Sequence, residues 1–136
     1  MKRHGRFDPG ILLVAAICLL ALWPFISRPG LAQETDAELH VYRTVELAAL
    51  LRGGVFYPRW APDFYFGYGY PILNYYAPLV YYLGAALMVI PGVGAALAVK
   101  MLFGAGLMGA GLGMYLLARR LWGPRAGLLA AALYVY

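Results

Sequence analysis

Residues 10–27 have the sequence GILLVAAICLLALWPFIS, an apolar run without a charged side chain. A helix of about 20 apolar residues crosses the hydrocarbon core of a bilayer, so this run is just long enough to span it. A second run, AALAVKMLFGAGLMGAGLGMYLLA, occupies residues 95–118 and carries a single charge. These two stretches predict an all-α, polytopic integral membrane protein, because helices satisfy every backbone hydrogen bond inside lipid.

The composition favours the same class. Of the 136 residues, 63% are hydrophobic and 12% are charged, whereas soluble domains carry about a quarter charged residues. The net charge of +5 does not form a nucleic-acid-binding patch, because the basic residues flank the apolar runs and so indicate membrane topology. These flanking residues are Lys2, Arg3, Arg6, Arg119, Arg120 and Arg125.

The chain divides into predicted segments. Residues 1–9 form a cytoplasmic N-terminus, 10–27 the first span, 28–71 an external loop with a helix at about 35–52, 72–90 the second span and 95–118 the third. Residues 126–136 form the start of a truncated fourth span, so we expect the chain to be a fragment of a longer protein of the bacterial plasma membrane.

Two alternatives stay open for this topology. Residues 10–27 could be a cleavable signal peptide, with Gly30-Leu31-Ala32 as the cleavage site, although the bulky Trp23-Pro24-Phe25 favours an interfacial anchor. Alternation of spans places residues 119–125 outside, whereas the positive-inside rule places their arginines in the cytoplasm. Alternation and the positive-inside rule agree only if residues 72–90 enter and leave the membrane on one side, or if residues 10–27 do not span it. We adopt alternation.

The helix at 35–52 carries the first candidate site. Thr35 or Asp36 caps it, and Gly53-Gly54 ends it. Asp36, His40 and Arg43 are spaced at i, i+4 and i+7, so they share one face, while Glu38 points elsewhere. A carboxylate, an imidazole and a guanidinium together could deprotonate a hydroxyl, bind a divalent metal or hold a phosphate. The alternative is a surface helix whose charges are only solvated and paired.

An aromatic and proline-rich stretch from Tyr57 to Pro71 carries the second candidate site. Aromatic faces stack on sugar rings, and a guanidinium holds a phosphate in a bidentate manner. The candidates are Arg59, Trp60, Tyr68 and Tyr70. The alternative is an aromatic belt at the membrane interface with turn glycines.

The glycines at 104–109 match a dinucleotide-binding pattern in letters only, because they lie inside an apolar span. Ala105, Gly109 and Gly113 instead predict a small-residue face for close helix packing.

Three groups of residues carry a resemblance to a known family: Asp36, His40 and Arg43; then residues 54–60, GVFYPRW; then GYGYP at 67–71 and NYYAPL at 74–79. The chain resembles the bacterial membrane proteins labelled "6-pyruvoyl-tetrahydropterin synthase related, membrane protein". The label implies no pterin chemistry here, because the two histidines, His4 and His40, lie far apart. The family is similar in layout to the GT-C glycosyltransferases, which use polyprenyl-phosphate-linked sugars at the outer face.

That resemblance implies roles for the candidate residues. Asp36 would be the general base or help to bind a divalent metal, His40 would orient it, and Glu38 would be the reserve acid. Arg43 or Arg59 would neutralise the donor phosphate. The expected function is therefore a GT-C-like membrane glycosyltransferase with a lipid-linked sugar donor. The alternatives are a non-catalytic membrane protein whose external loop binds a partner or glycan, and a transporter, for which Lys100 is the one ionisable residue inside a span.

Overall fold

A computed structural model describes residues 8–31 and 36–136, and the regular structure in these residues is helical. Five α-helices follow one another: α1 (Pro9–Ser27), α2 (Ala37–Arg52), α3 (Leu79–Val89), α4 (Ala95–Trp122) and α5 (Pro124–Val135). A short 3₁₀ turn covers Ile72–Asn74. The described ranges contain no β-strand, so the all-α prediction is confirmed.

Two of the helices, α1 and α4, are long and apolar enough to cross a membrane. Helix α1 has 19 residues with a mean hydropathy of 2.4 in its most apolar stretch, and α4 has 28 residues with a value of 1.6. Only 22% and 17% of those stretches are buried. The core helix of a soluble protein would be mostly covered, so these helices present apolar side chains to their surroundings.

Helix α3 differs from the predicted span at 72–90. It has 11 residues, which is about 16 Å of helix and roughly half of the hydrocarbon thickness. Pro78 stands immediately before it, and the chain turns at Pro91-Gly92 shortly after it. Proline fixes the backbone and cannot donate to a preceding turn, which explains why the apolar stretch does not form one long helix.

Helix α4 is longer than the predicted 95–118. It continues through Arg119 and Arg120 to Trp122, because arginine is a good helix former and favours the last turn of a helix. Gly123 ends the helix with φ +93°, and Pro124 begins α5. The charged link predicted at 119–125 is therefore mostly helical.

The chain forms two compact units. The first, unit 1, contains residues 8–27 and 103–136 among those described, and the second, unit 2, contains residues 28–102. The core of unit 1 consists of Val14, Cys18, Tyr115 and Ala131. Unit 2 packs α2 against α3 around Leu47, Ala48, Tyr81 and Ala85.

Close contacts at glycines hold unit 1 together. A Cβ atom at Gly111 would lie 2.7 Å from the sulfur of Cys18, and one at Gly127 would lie 2.8 Å from the backbone oxygen of Tyr115. Within unit 1 the predicted packing face makes no close contact, because a Cβ at Gly109 or Gly113 would meet no described atom within 4 Å. Small residues do allow close helix approach here, but on the face of Gly111.

Helices α1 and α4 run antiparallel within unit 1. At the start of α1, Asp8 accepts a hydrogen bond from the Tyr115 hydroxyl at 2.9 Å and forms an ion pair with Arg119. At the other end of α1, the rings of Phe25 and Phe103 lie 6.3 Å apart. The start of α1 and the end of α4 are therefore neighbours.

Candidate functional site

The inner face of α2 buries polar residues. Arg43, Thr44 and Glu46 are at most 7% exposed and lie beside Leu47 and Ala48. The Thr44 hydroxyl donates a hydrogen bond to the His40 carbonyl at 2.7 Å. Arginine and glutamate are almost never fully buried unless they have partners. This face is therefore the part of unit 2 in which a chemical role can be sought.

The Tyr81 hydroxyl joins two of the predicted site residues. Arg43 Nη1 donates to it at 3.0 Å, and the Nδ1 atom of His40 is 3.1 Å away. The His40 and Tyr81 rings are stacked, with centroids 5.9 Å apart. The shared helical face of His40 and Arg43 is thus observed, and α3 supplies the residue on which both converge.

Arg43 is incompletely satisfied. Its guanidinium carbon lies 3.9 Å from the centroid of the Tyr76 ring, which is a cation–π distance. The buried Nε–H has no partner among the residues that the structure describes. Burial lowers the pKa of Arg43, but hydrogen bonding to Tyr81 and the contact with Tyr76 outweigh it and raise the pKa overall. The guanidinium therefore stays charged.

Glu46 forms a second buried polar contact. Its Oε1 atom accepts a hydrogen bond from the backbone N–H of Asp63 at 3.3 Å, which ties α2 to the aromatic loop. Burial raises the pKa of the Glu46 carboxyl, and the nearby Asp63 carboxylate raises it further, against the lowering effect of the backbone bond. Burial and the neighbouring Asp63 therefore disfavour the ionised form of Glu46.

The two predicted acids lie at the start of α2. Asp36 occupies the N-cap position, is exposed and makes no side-chain capping bond in the described part of the chain. Glu38 is exposed in the first turn. The structure thus brings His40 and Arg43 together at Tyr81, while Asp36 contributes its backbone carbonyl, which accepts the His40 backbone N–H at 3.3 Å. The alternative cap, Thr35, lies outside the described residues.

The aromatic stretch forms a closed loop rather than an open lining. Ala61 and Tyr70 exchange two backbone hydrogen bonds of 2.9 Å each. The Trp60 indole packs on Gly69, where a Cβ would lie 2.0 Å from its ring nitrogen. The centroid of the Tyr70 ring lies 4.9 Å from that of Tyr65 and 6.2 Å from that of Tyr75.

The two remaining candidates of this stretch point to the surface. Tyr68 is 83% exposed, and Arg59 is exposed, with its carbonyl accepting a bond from Asn74 at 3.3 Å. The Arg59 guanidinium is therefore in solvent, whereas the Arg43 guanidinium is buried. A phosphate held by Arg43 would be shielded from water, whereas one at Arg59 would be screened by it.

A complete metal site does not form from the described residues, since no three His, Cys, Asp or Glu side chains gather within residues 8–31 and 36–136. The sequence argument missed Tyr81, Tyr76 and Glu46. Glu46 could have been found, because it lies three residues after Arg43 on a helix whose apolar residues mark the same side. The tyrosines are more than thirty residues away in sequence and needed the fold.

The comparisons with other proteins give no relative: no protein-family model, curated protein or solved structure matches the chain.

Proposed function

We propose that this chain carries the first external segment of a GT-C-like membrane glycosyltransferase, in which Arg43 faces the phosphate of a polyprenyl-phosphate-linked sugar. The observation that carries the proposal is the buried Arg43 guanidinium, whose Nε–H is unpaired among the described residues. The ion pair found in the described chain is between Arg119 and Asp8, in unit 1. Arg43 is thus held by tyrosines and retains its positive charge for an anion.

A two-span topology is consistent with α2, which carries Arg43, lying on the outer side of the membrane. We infer that α1 and α4 both cross the membrane and that α2 and α3 stay on the outer side. The contact of Asp8 with Tyr115 and Arg119 puts the start of α1 beside the end of α4. Both basic clusters then lie in the cytoplasm, as the positive-inside rule requires. Helix α3, at 11 residues, is too short to add a third crossing.

The residues divide into roles. Arg43 would neutralise the donor phosphate, and Tyr81 would fix both Arg43 and His40 through its hydroxyl. Asp36 and Glu38 remain the proposed acids at the exposed start of α2, where an acceptor hydroxyl could reach them without displacing the core. A divalent metal, if it takes part, would need further ligands in addition to these acids.

The phosphate role of Arg43 can be tested on the protein reconstituted in lipid nanodiscs. Arg43→Met removes the charge but keeps an apolar side chain of similar reach, and Arg59→Met does the same at an exposed position. We expect Arg43→Met to weaken binding of a short-chain polyprenyl phosphate by about 2–5 kcal/mol, since a desolvated charge pair is lost. Arg59→Met should change it far less. Equal affinity of wild type and Arg43→Met would refute the phosphate role.

Catalysis needs a separate test. Asp36→Asn should abolish sugar transfer while leaving polyprenyl-phosphate binding unchanged, because the amide keeps the shape but cannot accept a proton. Asp63→Asn, at an exposed carboxylate with no assigned role in transfer, is the matched control. Intact transfer in Asp36→Asn would favour the second candidate, a non-catalytic membrane protein whose external loop binds a glycan or partner. Phe56 and Tyr57 of that loop are 75% and 79% exposed, and these aromatic faces favour this candidate.

A further inference from the structure

The loop closed by Ala61 and Tyr70 ends in an aromatic tip, residues 65–68. Inside the bridge, the Gly69 N–H donates to the Phe64 carbonyl at 2.8 Å, and the Tyr68 N–H donates to the Tyr65 carbonyl at 3.1 Å. Trp60 packs on Gly69 at the base of the loop. These contacts hold the backbone of the tip in one conformation.

The tip presents its side chains outward at a conformational cost. Phe66 is 100% exposed and Tyr68 is 83% exposed. Tyr65 and Phe66 have φ values of 52° and 60°, in the left-handed region that bulky L residues rarely adopt. Such a conformation persists only where the surrounding structure fixes it, and it is typical of functional positions. An aromatic side chain held this way in water has an unfavourable environment, which indicates a partner for it.

The chemistry of the surroundings identifies this partner as lipid. No charged side chain occurs from Phe64 to Val99 in the sequence. Phe66 has no hydrogen-bonding group, whereas a sugar site needs a few placed polar groups in addition to an aromatic face. Helix α4, which can cross a bilayer, begins at Ala95 within unit 2. Unit 2 is therefore tied covalently to a candidate span, and aromatic residues concentrate at the level of lipid headgroups.

We propose that the aromatic tip, Tyr65, Phe66 and Tyr68, inserts into the lipid–water interface and anchors unit 2 to the membrane surface. Phe66 enters the acyl boundary, and the hydroxyls of Tyr65 and Tyr68 remain at the headgroups. The insertion depends on the chain being in a membrane, but not on glycosyl transfer or on phosphate binding by Arg43. Among the predicted substrate residues, Tyr68 would thus contact lipid, while Trp60 and Tyr70 support the loop.

The test measures where a nitroxide at the tip lies. Cys18 is the only cysteine, so Cys18→Ala gives a background in which Phe66→Cys is labelled in the whole chain. The protein is placed in nanodiscs of phosphatidylethanolamine and phosphatidylglycerol, and collisions with oxygen and with a water-soluble nickel chelate are compared. Glu38→Cys is the exposed aqueous control on α2, and Leu20→Cys, 66% exposed on α1, is the lipid control.

Insertion predicts an oxygen-to-nickel collision ratio at position 66 that is several-fold above that at position 38 and approaches that at position 20. Tyr68→Cys, labelled in the same way, should give an intermediate value and guards against a local effect of replacing Phe66. Free access of nickel to position 66, as at position 38, would overturn the proposal. So would a label reached by neither reagent, which means that protein covers the tip, or one shielded from nickel only after a polyprenyl-phosphate sugar is added, which indicates a sugar surface.

Discussion

Each unit contains a buried tyrosine with an arginine beside its ring, and the two clusters differ in the partner of the tyrosine hydroxyl. In unit 1, Tyr115 and Arg119 both contact the Asp8 carboxylate, so the positive charge is balanced within the unit. In unit 2, Tyr81 contacts Arg43 and His40, and no acid pairs with Arg43 among the described residues. One cluster therefore balances its charge within the helix packing, whereas the other holds a guanidinium without a carboxylate among the described residues.

The two cores differ in the same sense. Apart from the Tyr115 hydroxyl, unit 1 buries small and aliphatic side chains, and its helices meet at glycines. Unit 2 buries Arg43, Thr44 and Glu46 beside its apolar core. Shape should therefore dominate the stability of unit 1, and polar partners should dominate that of unit 2. Four predictions examine this contrast, in decreasing order of expected effect.

The largest effect is expected at Gly127. A Cβ there would lie 2.8 Å from the Tyr115 backbone oxygen, which cannot move away as a side chain could. Gly127→Ala should lower the free energy of unfolding by about 2–3 kcal/mol, the upper part of the usual range for overpacked cores. The control, Gly109→Ala, meets no described atom within 4 Å and should gain about 0.5–1 kcal/mol from helix propensity. Unfolding in mixed micelles measures both, and equal changes would contradict a shape-determined unit 1.

Removal of the two hydroxyls compares the polar clusters directly. Tyr81→Phe leaves buried Arg43 without its 3.0 Å partner and should cost about 2 kcal/mol, as expected when a charged group loses a hydrogen bond. Tyr115→Phe leaves the ion pair of Arg119 with Asp8 in place and should cost about 1 kcal/mol. Thermal unfolding in the same detergent gives the order. A larger loss for Tyr115→Phe would reverse the assignment of the two clusters.

The pH dependence of unit 2 is the next effect. The folded pKa of Glu46 lies above the ordinary value of 4.5 because of burial. Folding therefore strengthens proton binding at Glu46 relative to the unfolded chain. The contribution of Glu46 to the free energy of unfolding is complete below pH 4.5 and is lost as the pH rises through the folded pKa. Glu46→Gln, which resembles the protonated acid, should remove this part of the pH dependence.

Hydrogen exchange of α2 across the pH range measures the effect of Glu46. Glu38→Gln, at an exposed position on the same helix, should keep the wild-type pH profile. An unchanged profile in Glu46→Gln would assign the pH dependence to another group.

The smallest effect is expected at Arg119. Its side chain is 42% exposed, so solvent screens the ion pair with Asp8, and Arg119→Gln should cost about 0.5–1 kcal/mol. The loss should shrink at high salt, because screening already weakens the wild-type pair. Urea unfolding at low and high salt measures this. A loss that is large and independent of salt would mean that the pair is more deeply buried than its exposure indicates.

Local sequence signals predicted much of this structure. The cap at Asp36 and the stop at Gly53 gave α2 to within about two residues, and the apolar run at 10–27 coincides with α1 apart from one residue. Prediction was weaker where local signals compete. Arg119 and Arg120 continue α4 although they are charged, and the proline at 78 shortens α3 although the stretch is apolar.

The site was predicted only in part, for a physical reason. Helical periodicity placed His40 and Arg43 on one face, and they do converge. It could not identify Tyr81, which is 38 residues from Arg43 in sequence, because nothing local specifies which residue of α3 faces α2. For Asp36, periodicity was misleading. It predicts that Asp36 lies on the face of His40 and Arg43, but Asp36 is the N-cap residue and its side chain is exposed.

The contact between Asp8 and Arg119 also sets an order of events during synthesis. The two residues are 111 positions apart, and all of unit 2 lies between them in the sequence. A ribosome adding about 5–20 residues per second needs roughly 6–22 s to make that interval. Helix α1 is therefore synthesised before its polar partners on α4, and the whole of unit 2 is made and can fold in the interval. Unit 1 contains the first helix to be made, but its packing is completed only after unit 2 has been synthesised.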